Sequence, residues 1–149
     1  EIDFDAGLWT VPADRMKSRR EHIVPLPRQA LLALSELELL TFKNADSFVF
    51  ASNSRQGFLS ENTLRMALHS IGFQVTAHGM RSLITDVLYE AGYSRDLIEK
   101  QLDHNDREQV RAAYLRTNFL DQRAPMMQWF ADWCAGKEAV TNVISLRSS

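Results

Sequence analysis

Four cations, Arg15, Lys17, Arg19 and Arg20, stand within six positions of the stretch RMKSRREHIVPL, residues 15–26, just before a β-branched, proline-bounded apolar run. The chain as a whole is mildly acidic, with a net charge of -2. Setting those four aside leaves 13 basic against 19 acidic residues, so the concentration is local. Any grip on a polyanion must then be local as well, and a solvated charged turn is the plainer alternative. A second group with chemical potential is His78 with Arg81, three residues apart in TAHGMRSLITDVLYEAG. At about 100° per residue, the apolar stripe of that segment centres near Met80 and Val87, Arg81 lies a quarter turn away and His78 nearly opposite. His78 is therefore no core histidine, although an exposed surface pair satisfies the same spacing. His104 follows QLD at the end of the next helical segment, where the macrodipole favours it. Tyr114 shares a helical face with Val110 and Ala113, a packing position by default. The four histidines at 22, 69, 78 and 104 form no i,i+4 pair, no HExxH motif and no Cys/His cluster, so no metal site is read here.

The elements that must carry these residues follow from pattern. Residues 7–12 and 22–26, rich in Val, Ile, Trp and Thr, read as the strands of a hairpin with Lys17 in or beside its turn. Residues 26–42 read as a helix opened by Pro27. SFVFAS reads as a short strand. SENTLRMALHSIG reads as a helix with Ser60 as N-cap and Gly72 as its stop. The next helix has Thr76 as N-cap, Gly92 at its end and a core stripe of Met80, Leu83, Ile84, Val87 and Leu88. Short helices follow in SRDLIEKQLDH, capped by Ser94, and in REQVRAAYLRT. DQRAPMMQWFADWCAG reads as a last helix, in which Pro125 is comfortable only within a turn of the start. The tail VTNVISLRSS is again strand-like. The fold class is mixed α/β, mainly α-helical, with a small antiparallel sheet near the N-terminus.

Composition bounds the rest. A chain of 149 residues fits one domain or a piece of a longer protein, and 45% hydrophobic with 24% charged residues is globular rather than disordered. No apolar run approaches a membrane span and no secretory leader opens the chain. The single cysteine, Cys134, excludes an internal disulfide, points to a reducing cytoplasmic setting and reads as a buried structural thiol among Trp129, Phe130 and Trp133. EIDFDAGLWTVP begins without methionine or cap, as an excised domain would.

HGMR, IEKQLDH and AAYLR, in this order and spacing, resemble the signature of the tyrosine recombinases, and RMKSRREHIVPL and DQRAPMMQWFADW resemble integrases of prophages and genomic islands. The resemblance covers residues 1–136, implying a catalytic domain there and leaving 137–149 as a tail that docks as a strand through Val140, Ile144 and Leu146. It implies catalytic roles for Lys17, His78, Arg81, His104 and the nucleophile Tyr114, and DNA contacts by Arg15, Arg19 and Arg20. The family's first arginine precedes the segment resembled by EIDFD, so it has no match in this chain. The implied activity is site-specific DNA recombination through a 3′-phosphotyrosyl intermediate, integrating or excising a mobile element in the cytoplasm of a bacterial host. Implied partners are double-stranded DNA attachment sites, further copies in a tetramer on DNA, and accessory DNA-bending or directionality factors; no membrane and no cofactor are implied.

The residue types suit that chemistry. Arginine presents a fixed fork of donors that stays protonated against a phosphate. Histidine donates hydrogen bonds or exchanges a proton near neutral pH, and a tyrosine of ordinary pKa near 10 needs cations or a base beside it. A lysine can protonate the departing 5′-oxygen. A type IB topoisomerase, a non-catalytic DNA-binding module and a helical interaction domain are the rival readings. The compact spacing from hairpin to tyrosine favours an integrase over the first. The five residues kept together disfavour the second, and the cationic hairpin is unexplained by the third.

Overall fold

A computed structural model of the chain describes residues 1–41, 47–103 and 118–137. Three short strands, β1 (Ile2–Asp3), β2 (Leu8–Val11) and β3 (His22–Pro25), form an antiparallel sheet in the order β1-β2-β3. Five helices are present among the described residues: α1 (Arg28–Thr41), α2 (Glu61–Ser70), α3 (Ala77–Glu90), α4 (Arg95–Gln101) and α5 (Leu120–Cys134). The mixed, mainly helical class expected from pattern is the one found. No helix among the described residues is long and apolar enough to cross a membrane.

The chain divides into two compact units, one built from Glu1–Arg28 with the chain from Ile84 onward, the other from Gln29–Leu83. In the first unit the hairpin register pairs Trp9 with Val24 and Val11 with His22, so the ten residues between Val11 and His22 make the connection that carries the cations. Its core is a cluster of Leu88, Leu97, Ile98 and Met126, from α3, α4 and α5. Tyr93 and Trp129 meet edge to face at its margin, ring centroids 5.7 Å apart. Gly92 makes the turn from α3 to α4. At φ +85° it takes a left-handed conformation that a side chain would strain. There its N–H bonds Tyr89 and the N–H of Tyr93 reaches back to Leu88, satisfying two terminal carbonyls. Ser94 then caps α4 by accepting from the N–H of Leu97.

The second unit holds α1, α2 and the start of α3. Ser60 stands at the N-terminal boundary of α2 but bonds the Thr63 hydroxyl at 3.0 Å rather than a backbone N–H. Thr76 does cap α3, accepting from the N–H of Gly79 at 3.0 Å. The strand expected in SFVFAS is absent; only an isolated bridge joins Ala51 to Phe58. Two backbone bonds, Ser52 N–H to the Gly57 carbonyl and Leu59 N–H to the Phe50 carbonyl, flank that bridge, and the Ser52 and Ser54 hydroxyls both bond the Phe58 carbonyl, so a short loop closes on itself instead of a strand extending.

Two further expectations are corrected, and the condition on Pro125 is resolved. Of the apolar stripe of α3 only Leu88 is fully buried, in the cluster of the first unit, with Ile84 half-buried against it and Val87 half-buried; Met80 and Leu83 are exposed. Cys134 is exposed, not buried: the apolar cluster takes Met126, Met127, Trp129 and Phe130 from α5 but neither Cys134 nor the exposed Trp133. Pro125 is the sixth residue of α5, beyond the first turn, and so removes the bond that residue 125 would donate to the Asp121 carbonyl.

Candidate active site and nucleic-acid interface

The connection from β2 to β3 is a series of turns over residues 13–20, and Lys17, Arg15, Arg19 and Arg20 are all exposed on it. Arg19 takes a left-handed conformation, φ 53°, at the end of a turn closed by its N–H to the Met16 carbonyl. Arg15 pairs with Glu1, whose other carboxylate oxygen accepts from the Trp9 indole. An exposed pair of this kind contributes up to about 1 kcal/mol and is weakened by salt, so a phosphate can compete for the guanidinium.

Two polar contacts anchor this connection to the end of α4. Ser18 donates its hydroxyl to Asp103 at 3.2 Å, and buried His22 meets the Gln101 carbonyl through Nε2 at 3.2 Å. A carbonyl only accepts, so Nε2 carries the hydrogen. Burial holds the His22 imidazole below its ordinary pKa, helped by Arg123 and Lys100 and opposed by the Gln101 bond and Asp103. Lys100, in the last turn of α4, is also lowered, by burial first and then by Arg123 and Arg20 nearby. Hairpin and α4 thus contribute to one cationic neighbourhood, tempered by Asp103.

Beneath it lies Arg123 of α5, with 0% of its surface exposed. Its Nε donates to Gln101 Oε1 at 2.9 Å, one terminal nitrogen to the Asn118 carbonyl at 3.1 Å and the other to the Ile23 carbonyl at 2.8 Å. Burial alone pulls its pKa down to about 10, which leaves it protonated at neutral pH. No buried side-chain nitrogen or oxygen among the described residues lacks a hydrogen-bond partner.

His78 and Arg81 lie on α3, three residues apart and both exposed, so their side chains rise from neighbouring points of one helical face. Lys17 and the three arginines belong to the first unit, His78 and Arg81 to the second. His104 and Tyr114 lie outside the described residues, as do the helix expected over residues 107–117 and the tail from residue 138. No group of three or more potential metal-binding side chains occurs among the described residues.

Sequence reasoning passed over Arg123, Gln101, His22 and Lys100. A signal for the first was present: Arg123, Met126, Met127 and Phe130 stand at i, i+3, i+4 and i+7, so an arginine occupies the apolar stripe of its helix. The acceptors that make this position tolerable come from segments 22 and 100 residues away in sequence, and no local pattern reveals them.

The chain belongs to the phage integrase family, whose sequence profile matches residues 1–120. It is 40% identical to an integrase of Enterobacteria phage P4, over 89% of this chain and 34% of that protein. It is 41% identical to the prophage integrase IntA of Escherichia coli (strain K12), over 89% and 32%, and 35% identical to an integrase of Shigella phage Sf6, over 89% and 35%. The chain therefore spans about a third of the length of these relatives. No solved structure matches it.

Proposed function

We propose that the protein is a site-specific DNA recombinase that cleaves and rejoins strands through a 3′-phosphotyrosyl intermediate, and that residues 1–136 belong to its catalytic domain. The observation that carries this reading is the exposed His78–Arg81 pair on α3 in a chain of the phage integrase family. The relatives named above are themselves called integrases.

In this reading the Tyr114 hydroxyl attacks the scissile phosphorus, its proton passing to His78 or His104. The bond from phosphorus to the 5′-oxygen breaks, and the Lys17 ammonium supplies the proton which that oxygen takes. Charge gathering on the non-bridging oxygens is met by the fork of Arg81. Each bond broken is replaced by one of similar energy, so a second 5′-hydroxyl can reverse the sequence and reseal a strand without ATP. Arg15, Arg19 and Arg20 bind flanking phosphates, which fix register and carry no sequence information. The partners are double-stranded attachment sites, three further copies in a tetramer and DNA-bending or directionality factors, all in the host cytoplasm. The tail from residue 137 docks as a strand on a neighbouring copy.

The test uses an attachment-site duplex nicked near the scissile bond, which traps the covalent adduct by letting the cleaved end diffuse away. The intact protein should form a denaturant-resistant adduct, and Tyr114→Phe should bind the same DNA but form none. Adduct at normal yield in that variant would refute the assignment of the nucleophile.

A further inference from the structure

Arg123 is a cation in the apolar stripe of α5, fully buried, with its three bonding nitrogens all committed. Stability does not account for it. Desolvating a guanidinium is costly, and an apolar side chain of similar length in such a place is often neutral or better for the fold. What the guanidinium supplies that Met or Leu does not is a rigid planar fork, able to fix several acceptors relative to one another.

Its acceptors stand in a suggestive order along the chain. The Ile23 carbonyl lies in β3, on the strand that closes the lysine hairpin. Gln101 is the last residue of α4, three positions before His104. Asn118 follows Tyr114 by four positions. The hairpin is joined to the end of α4 at two more points, His22 to the Gln101 carbonyl and Ser18 to Asp103. Gln101 takes part twice, its side chain accepting from Arg123 and its main chain from His22.

We propose that Arg123 is a positioning residue for the recombination reaction, its fork fixing the lysine hairpin against the end of α4 so that Lys17 meets the leaving oxygen. This rests on the reading of Lys17 as the proton donor, given above. Arg123 itself touches no reacting atom.

The intact protein is compared with Arg123→Met, Lys17→Ala and the double variant, measuring DNA affinity and the single-turnover rate of adduct formation. Two nicked substrates are used, one with the natural 5′-bridging oxygen and one with a 5′-bridging sulfur, which leaves without protonation. Arg123→Met should bind DNA with unchanged affinity yet form adduct about tenfold to a hundredfold more slowly on the oxygen substrate, as a displaced catalytic group does. The sulfur substrate should restore most of that rate. In the Lys17→Ala background, Arg123→Met should cost no more than about twofold further, since the two act on one step.

A purely structural role would lower rates equally on both substrates and add to the Lys17→Ala effect, and either result overturns the proposal. An unchanged rate on the oxygen substrate does so as well. Should Arg123→Met not fold, Gln101→Leu removes one arm of the fork, leaves the two carbonyl contacts, and faces the same comparisons. Normal cleavage by Lys17→Ala on the oxygen substrate would sink the reading of the lysine, and this inference with it. Sulfur rescue of Lys17→Ala but not of Arg123→Met would sink this inference alone.

Discussion

A tyrosine hydroxyl is a poor nucleophile at neutral pH, so the chemistry proposed here depends on what neighbouring side chains do to charge on one phosphate. Arg81 is the clearest case. Arg81→Lys keeps a positive charge but loses the planar fork, and a lost preorganised donor costs about a hundredfold in rate. Adduct formation should fall by that order while DNA affinity holds, which a single-turnover assay beside a binding titration will read; an unimpaired rate would remove Arg81 from the phosphate. His22 yields a prediction of a different kind. Its imidazole pKa is held below the ordinary value of 6.5 in the fold, chiefly by burial. On acidification the unfolded chain takes up this proton first, so stability falls with pH from about 6.5 downward and is undiminished above it. His22→Gln can still donate to the Gln101 carbonyl but does not titrate. Chemical denaturation across that window should show a shallower loss in the variant, and identical pH profiles would contradict the buried-neutral assignment. At this scale the sequence was legible wherever a residue type announced its own chemistry, as with the hairpin cations and His78 with Arg81. It was opaque for Arg123 and His22, whose roles are set by carbonyls from remote segments.

Elements were legible where local signals agreed. The hairpin strands, the Thr76 and Ser94 caps and the Gly92 stop all follow from short-range preferences, and each is found. Failures came where tertiary cover decided the matter: a period of 3.6 states that Met80 and Leu83 share a face with Leu88, but not how far along that face a partner extends. The buried half of α3 supplies a measurable consequence. Leu88 is 0% exposed within the cluster, so Leu88→Ala should cost about 2–5 kcal/mol through lost burial and the cavity left behind. Unfolding by denaturant will read it, and a cost near zero would mean that the cluster is not the core of its unit. On the hairpin, Arg19→Ala should weaken DNA binding at every sequence and reduce the slope of log affinity against log salt by about 0.9, the share of one phosphate. An unaltered slope would take Arg19 off the DNA backbone.

For the molecule as a whole, two facts pull the expectations together: the net charge is -2, and the chain spans about a third of the length of its relatives. A chain of that charge, with four of its 17 basic residues gathered on one connection, should hold duplex DNA weakly. The central claim, covalent catalysis through one tyrosine, has the most direct test. The adduct formed by the intact protein on a nicked attachment site is digested with protease and nuclease, and the peptide carrying residual nucleotide mass is sequenced by tandem mass spectrometry. The expected result is a nucleotide esterified through its 3′-phosphate to Tyr114. Attachment at Tyr89 or Tyr93, at a residue other than tyrosine, or through a 5′-phosphate would contradict it.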